Sequence, residues 1–172
     1  AKMGEVDRAR EIVQQLRDQS PGGAESLYLV EAEILAEVGQ ADEALGVYAT
    51  ALETFPDSAD LRYARAMFAV KRDRLDLAES DLRHIIDGNP EHADALNALG
   101  YTLADRTDRL EEARELIEKA HALKPDEPAI LDSMGWVQYR LGNLEVALDY
   151  LRRALDAMSD GEIAAHLGEV LW

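Results

Sequence analysis

Serine, histidine and carboxylate side chains are what remains for covalent or acid–base chemistry in a chain with no cysteine, and the sequence offers each in turn. Ser133 lies in Leu131-Asp132-Ser133-Met134-Gly135, where a nucleophile elbow needs Gly-x-Ser-x-Gly. His84, His92, His121 and His166 are spread along the chain with no His-Glu-x-x-His run, so no pair of imidazoles converges on a zinc ion from one helix face. All four are expected to be solvated or capping residues. Asp156 to Gly161 begins like a calcium loop, but Met158 and Leu167 stand where oxygen ligands are needed. Gly22-Gly23 follows Pro21 without a phosphate-cradling lysine and reads as a linker. With 35 Asp and Glu in the chain, close carboxylate pairs arise by chance and need no catalytic explanation. The expectation is a protein with no catalytic residue, no metal ligand and no cofactor.

Composition narrows what is left. Eighteen Lys and Arg against 35 Asp and Glu give a net charge of −17, and a surface that tracks nucleic-acid phosphates needs clustered cations instead. Hydrophobic residues make up 47%, enough for a real core in spite of the charge. No apolar run is long enough to span a bilayer, so this segment is not expected to insert into a membrane.

The elements come from a period of 34 to 35 residues. Pro21, Pro56, Pro90 and Pro125 keep one beat, and Ala9, Ala44, Ala78, Ala113 and Ala147 keep a second. Ala51, Ala120 and Ala154 follow three of those alanines by seven residues, with Ile85 in the second repeat, while Ala32, Ala66, Gly100 and Gly135 supply a further small position. Four complete repeats follow, 25–58, 59–92, 93–127 and 128–161, with half repeats at 1–24 and 162–172. Apolar spacing within each is helical, as in Leu96, Leu99, Gly100, Leu103 and then Ala113, Leu116, Ile117, Ala120. Each repeat therefore holds two helices of about 14 residues. Turn residues separate them (Gly39-Gln40, Asp73-Arg74, Thr107-Asp108, Gly142-Asn143), and proline ends the second helix. One pair cannot bury its own apolar face, so the pairs must stack into a solenoid.

Leu99-Gly100, Tyr101, Ala113, Ala120 and Pro125 resemble the tetratricopeptide repeat signature, and Met134-Gly135, Ala147 and Ala154 repeat it. The resemblance covers the whole chain and implies an all-α fold, a right-handed superhelical solenoid of antiparallel helix pairs. Departures are Ser159 in place of proline, one extra residue near Arg106 to Arg109, and Glu31 and Arg65 where a leucine is usual. A narrower resemblance runs through LNALGYTLADRTDRLEEA, PAILDSMGWVQYRLGNLEVALDYLRRAL and EIAAHLGEVLW. These segments look like the C-terminal repeats of a proteobacterial outer-membrane lipoprotein of this family. That resemblance implies an adaptor for a carboxy-terminal processing protease and its substrates, held at the periplasmic face of the outer membrane. Nothing in the residues themselves excludes the cytoplasm.

In such a stack the first helices line the concave wall. The groove places then include Leu29, Glu33, Tyr63, Met67, Lys71, Asn97, Tyr101, Asp105, Asp132, Trp136, Tyr139 and Arg140. Of the nine aromatic residues between 25 and 161, four fall on groove places, giving a wall both aromatic and acidic. Tyrosine and tryptophan combine apolar area with a polar handle, which suits them to binding hot spots. The expected partner is an extended or helical segment of another protein, with basic or neutral polar groups and one or two apolar anchors. In the alternative use of the same aromatics, Tyr101, Trp136 and Tyr139 cover contacts between repeats and touch no ligand. A clamp for a C-terminal carboxylate is disfavoured, since only Asn97, Lys71 and Arg140 would serve it.

Glu31, Arg62 and Arg65 form one polar constellation on a face that ought to be apolar, and a Glu31–Arg65 pair fixing the register of adjacent repeats is expected. Both termini cut through a repeat, so the chain reads as a piece of a longer array, with Ile163, Leu167, Leu171 and Trp172 as an uncovered stripe. The alternative function that follows is an assembly scaffold, self-associating through its exposed ends.

Overall fold

The computed structural model describes residues 2–19 and 21–172. Ten α-helices account for most of them: α1 (Lys2–Gln19), α2 (Ala24–Glu37), α3 (Ala41–Thr54), α4 (Ala59–Val70), α5 (Leu75–Gly88), α6 (Ala93–Arg106), α7 (Leu110–Leu123), α8 (Pro128–Arg140), α9 (Leu144–Ala157) and α10 (Gly161–Leu171). A single 3-10 turn, Pro21–Gly23, joins α1 to α2, where the sequence suggests a linker. One helix pair falls in each repeat of 34 or 35 residues, and there is no strand among the described residues.

Local chemistry explains the helix ends. After α2 and α8 the chain turns through Gly39 and Gly142, whose φ of 83° and 85° is open to glycine at no steric cost. The N–H of Gly142 donates to Tyr139 O at 2.8 Å and that of Asn143 to Gln138 O at 2.9 Å, the paired bonds that close a helix C-terminus. The third repeat, with its extra residue, ends α6 differently. Thr107 is extended, its hydroxyl donates to Leu103 O at 2.7 Å, and its Oγ1 accepts from the Arg109 N–H at 3.1 Å. The α9 helix stops at Ala157 even though Ser159 replaces the proline; Asp160 then caps α10, its carboxylate accepting from the N–H of Glu162 at 2.8 Å.

The chain forms two compact units, Ala1–Lys71 and Arg72–Trp172. In the first, α1 packs on α2, α2 on α3 and α4, and α3 on α4. Its core joins Ala32, Leu35, Ala44, Val47, Tyr48, Ala51, Leu52 and Leu61. Glu31 is also buried there, at 6% exposure, and its carboxylate accepts from Arg17 Nη1 at 2.8 Å and Arg10 Nε at 3.3 Å. Both guanidiniums come from α1, so the helix of the leading half repeat is tied to the first complete repeat by charge as well as by packing. Arg17 also lies 3.9 Å from the centre of the Tyr28 ring, a cation–π contact.

In the second unit, α6 and α7 form one antiparallel pair and α8 and α9 another, with α6 against α8, and α10 against α8 and α9. The small beat has a direct physical cause. A Cβ on Gly100 would lie 2.5 Å from Ile117 Cγ1 and 2.9 Å from the carbonyl oxygen of Ala113, and one on Gly135 would lie 2.5 Å from Leu151 Cγ. Only glycine lets these backbones approach so closely. The partner beats, Ala113, Ala120, Ala147 and Ala154, are fully buried in the same interfaces. Ile163 is buried too, against Leu131 and Ala154, which corrects the expected uncovered stripe at 162–172. Leu167 is half-buried, and exposure is confined to Leu171 at 60% and Trp172 at 108%.

Candidate functional site

The first helices carry the groove places, and each unit supplies its own set. In the first unit, α2 holds half-buried Leu29 and exposed Glu33, while α4 holds half-buried Tyr63 and Met67, and exposed Lys71 follows at its C-terminal cap. Leu29 also packs against the unit's core, which makes it a support rather than a free anchor.

In the second unit, α6, α8 and α10 bring a tight group together. His166 Nδ1 on α10 lies 3.0 Å from both carboxylate oxygens of Asp132 on α8. Its Nε2 is 3.4 Å from the hydroxyl of Tyr101 on α6, and that hydroxyl donates to Glu162 Oε1 at 3.0 Å. The imidazole stacks on Trp136, with 4.4 Å between centroids and 25° between planes, and Trp136 meets Tyr139 at 5.4 Å. Asp132 and His166 are 6% and 8% exposed, so a histidine expected to be solvated or capping is instead interior. The other three behave differently from it and from one another: His84 is exposed, His92 Nδ1 caps α6 by accepting from the Ala95 N–H at 3.2 Å, and His121 meets Tyr150 edge-on.

Electrostatics follow from that geometry. Burial works against a charged imidazole, but the hydrogen bond to Asp132 and the charges of Asp132, Glu162 and Asp105 outweigh it and raise His166 above its ordinary range. Tyr101 is pushed far above the usual phenol range by burial, by its bond to Glu162 and by neighbouring carboxylates, so it stays a neutral donor.

Three predicted groove residues have roles narrower than the sequence suggests. Trp136 is only 7% exposed and lies beneath His166, where its Nε1 has no hydrogen-bond partner. Asn97 is half-buried on α6, and its Oδ1 is likewise buried without a partner. Arg140 points at the end of α6: Nη1 donates to Ala104 O and, at 3.3 Å, to Asp105 O, while Nη2 reaches Thr107 O at 3.4 Å. It satisfies carbonyls at the C-terminal end of α6, which have no partner within the helix. What stays accessible on this wall is half-buried Tyr101, Asp105 and Tyr139 with exposed Glu162. Among the described residues no group of three or more His, Asp or Glu is arranged to hold a metal ion.

Sequence reasoning missed His166 and Glu162, although a signal was present. Leu29, Tyr63, Asn97 and Asp132 occupy the fifth place of successive repeats, and His166 is the next member of that row. It also missed Arg10 and Arg17 as partners of Glu31, two basic residues seven apart and so on one face of α1.

The tetratricopeptide repeat signature matches residues 29–83 and 63–128. The TPR repeat-containing protein PA4667 of Pseudomonas aeruginosa is 53% identical over 168 residues, covering 98% of this chain and 28% of that protein. The chain thus spans well under a third of this relative. A crystal structure of a tetratricopeptide repeat protein from Parabacteroides merdae superimposes with a TM-score of 0.80 at 17% identity, over 98% of this chain and 66% of that one. YrrB, described as a TPR protein with an unusual peptide-binding site, gives a TM-score of 0.71 at 22% identity, over 97% of this chain and 85% of that one. With the helix pairs, the glycine contacts and the matched repeats together, this chain belongs to the tetratricopeptide repeat family, whose repeats serve as scaffolds that bind protein or peptide partners.

Proposed function

We propose that this chain is a non-catalytic adaptor that holds a polypeptide segment of another protein against its first helices, through side chains that are aromatic and acidic. The observation that carries the reading is the second unit's wall, where Tyr101 and Tyr139 stand half-buried beside Asp105 and Glu162. Half-buried tyrosines give a partner rigid apolar area, and the neighbouring carboxylates favour lysine, arginine or neutral polar groups over acidic ones. The one arginine assigned to this wall, Arg140, is spent on backbone carbonyls, so an acidic partner finds little to hold it. Tyr63, Met67, Glu33 and Lys71 form the corresponding wall of the first unit.

The phrase-level resemblance of residues 96–113, 128–155 and 162–172 to an outer-membrane lipoprotein supports a finer reading. On it, the adaptor recruits substrates to a carboxy-terminal processing protease in the periplasm, tethered to the outer membrane in the whole protein. The test is a pull-down from envelope extract read by mass spectrometry. It compares the parent with a variant carrying Tyr63→Ala, Tyr139→Ala and Asp105→Lys, none of which is a fully buried position. Selective loss of a protease or its substrates from the variant supports the reading. Equal capture by both forms removes the groove from the account, and concentration-dependent self-association that survives the substitutions favours an assembly scaffold instead.

A further inference from the structure

Three first helices of the second unit meet at one point. Tyr101 on α6 reaches Glu162 and His166 on α10, and His166 reaches back to Asp132 on α8. The imidazole closes over Trp136 at 4.4 Å, and the indole Nε1 beneath it has no acceptor. A buried donor left unpaired is destabilising, so the closed arrangement must be held by its other bonds. Those are the Asp132–His166 pair and the tyrosine bridge.

We propose that His166 is a pH-sensitive clasp that docks α10 over Trp136, shut while the imidazole is protonated and loosened when it is not. The groups facing the ring are Asp132 and Trp136 from α8, Tyr101 and Asp105 from α6, and Glu162 from α10 itself. The α9 helix meets α10 through Ala154, Tyr150 and Leu155 around Ile163, an apolar contact rather than a counter-charge to the ring. The three charges acting on the ring, Asp132, Glu162 and Asp105, are all negative. With the proton bound, α10 is drawn to α8 by an ion pair shielded from water. Without it, Asp132 remains a buried carboxylate whose counter-charge has gone, which is the costly half of a broken pair. Opening then relieves both Asp132 and the unpaired indole N–H, since water or a partner's carbonyl can reach them. The consequence rests on the reading that this wall takes the partner: Trp136 becomes an anchor only when the clasp is open.

The test needs no partner. Trp172 is fully exposed, so Trp172→Phe leaves Trp136 as the single fluorescent tryptophan. Acrylamide quenching of that protein is measured from about pH 5.5 to about pH 8.5, the range in which histidines titrate. The expected result is a quenching constant that rises through one step with pH, with the step lost in His166→Gln. Removing the bridge alone with Tyr101→Phe, which keeps the ring, should raise quenching at the acid end towards the alkaline value. A constant that is flat with pH while helical circular dichroism is retained overturns the proposal. So does a step that persists in His166→Gln, or a Tyr101→Phe protein that matches the parent throughout. A failure here leaves partner capture by the wall standing, and a failed capture leaves the clasp standing.

Discussion

Alanine in place of Gly100 or Gly135 adds one methyl group at the closest approach of two helices. The new Cβ at 100 would sit 2.5 Å from Ile117 Cγ1 and 2.9 Å from Ala113 O, and that at 135 would sit 2.5 Å from Leu151 Cγ and 2.9 Å from its Cδ2. Carbon atoms in good contact are about 3.5–4.0 Å apart, so the helices must part or a buried side chain must leave its rotamer. Overpacking of this kind costs about 1–3 kcal/mol, against which glycine to alanine in a helix gains about 1 kcal/mol. At 135 the nearer obstacles belong to a side chain, whereas at 100 one is a backbone oxygen that moves only with α7. Gly100→Ala is therefore expected to lose about 2 kcal/mol net and Gly135→Ala about 1 kcal/mol. Gly46, inside α3, meets nothing within 4 Å, so Gly46→Ala should gain about 0.5–1 kcal/mol. Urea titration followed by circular dichroism reads all three, and in thermal scans 1 kcal/mol corresponds to about 2–4 °C for a chain of this size. A Gly100→Ala protein as stable as the parent would refute the close-approach argument, as would a Gly46→Ala protein equally damaged.

Other expectations are as specific. Glu31→Ala should cost α1 about 3 kcal/mol of local stability by stranding Arg17, while Glu31→Leu with Arg17→Leu should cost less; amide hydrogen exchange in α1 separates them, and equal losses would dismiss the buried pair. Arg140→Ala should lose about 1–2 kcal/mol through uncapped carbonyls at the end of α6, with Arg140→Lys restoring only part of it, as read by urea titration. Unchanged stability together with lost partner binding would return Arg140 to the groove. For His166 the folded-state pKa is raised, so its contribution is complete below about pH 6.5 and is lost as pH rises through the raised value. The stability difference between parent and His166→Gln should accordingly shrink with rising pH in calorimetry, and a difference that grows would reverse the sign of the argument.

Helix pairing was legible because its signals are local and repeated. The alanine and glycine beats mark where backbones touch, and the structure puts Ile117 and Leu151 against those glycines. Proline was a less complete guide, since α9 ends at Ala157 without one. The site was legible only in part. Groove places predict which residues share a wall, but not how far each is covered, and coverage depends on the neighbouring helix. Trp136 was visible as aromatic and wall-facing, yet its burial is imposed by His166 from α10. Arg140 likewise carried a positive charge in the sequence, while its use was decided by the open carbonyls at the end of α6 in the preceding repeat. Glu31 announced itself as a carboxylate on an apolar face, but Arg10 and Arg17, which bind it, lie in a half repeat whose phase is set by few residues.

The claim that a polypeptide is held on the first-helix wall is tested most directly by site-specific photo-crosslinking. A photoreactive phenylalanine analogue replaces Tyr139 on α8 or Tyr63 on α4, and in parallel Val146 on α9, which is 45% exposed on a second helix. The account predicts discrete adducts to another protein from position 63 and from position 139, the latter weakened by Asp105→Lys, and none from position 146. Adducts formed only from position 146 would contradict it.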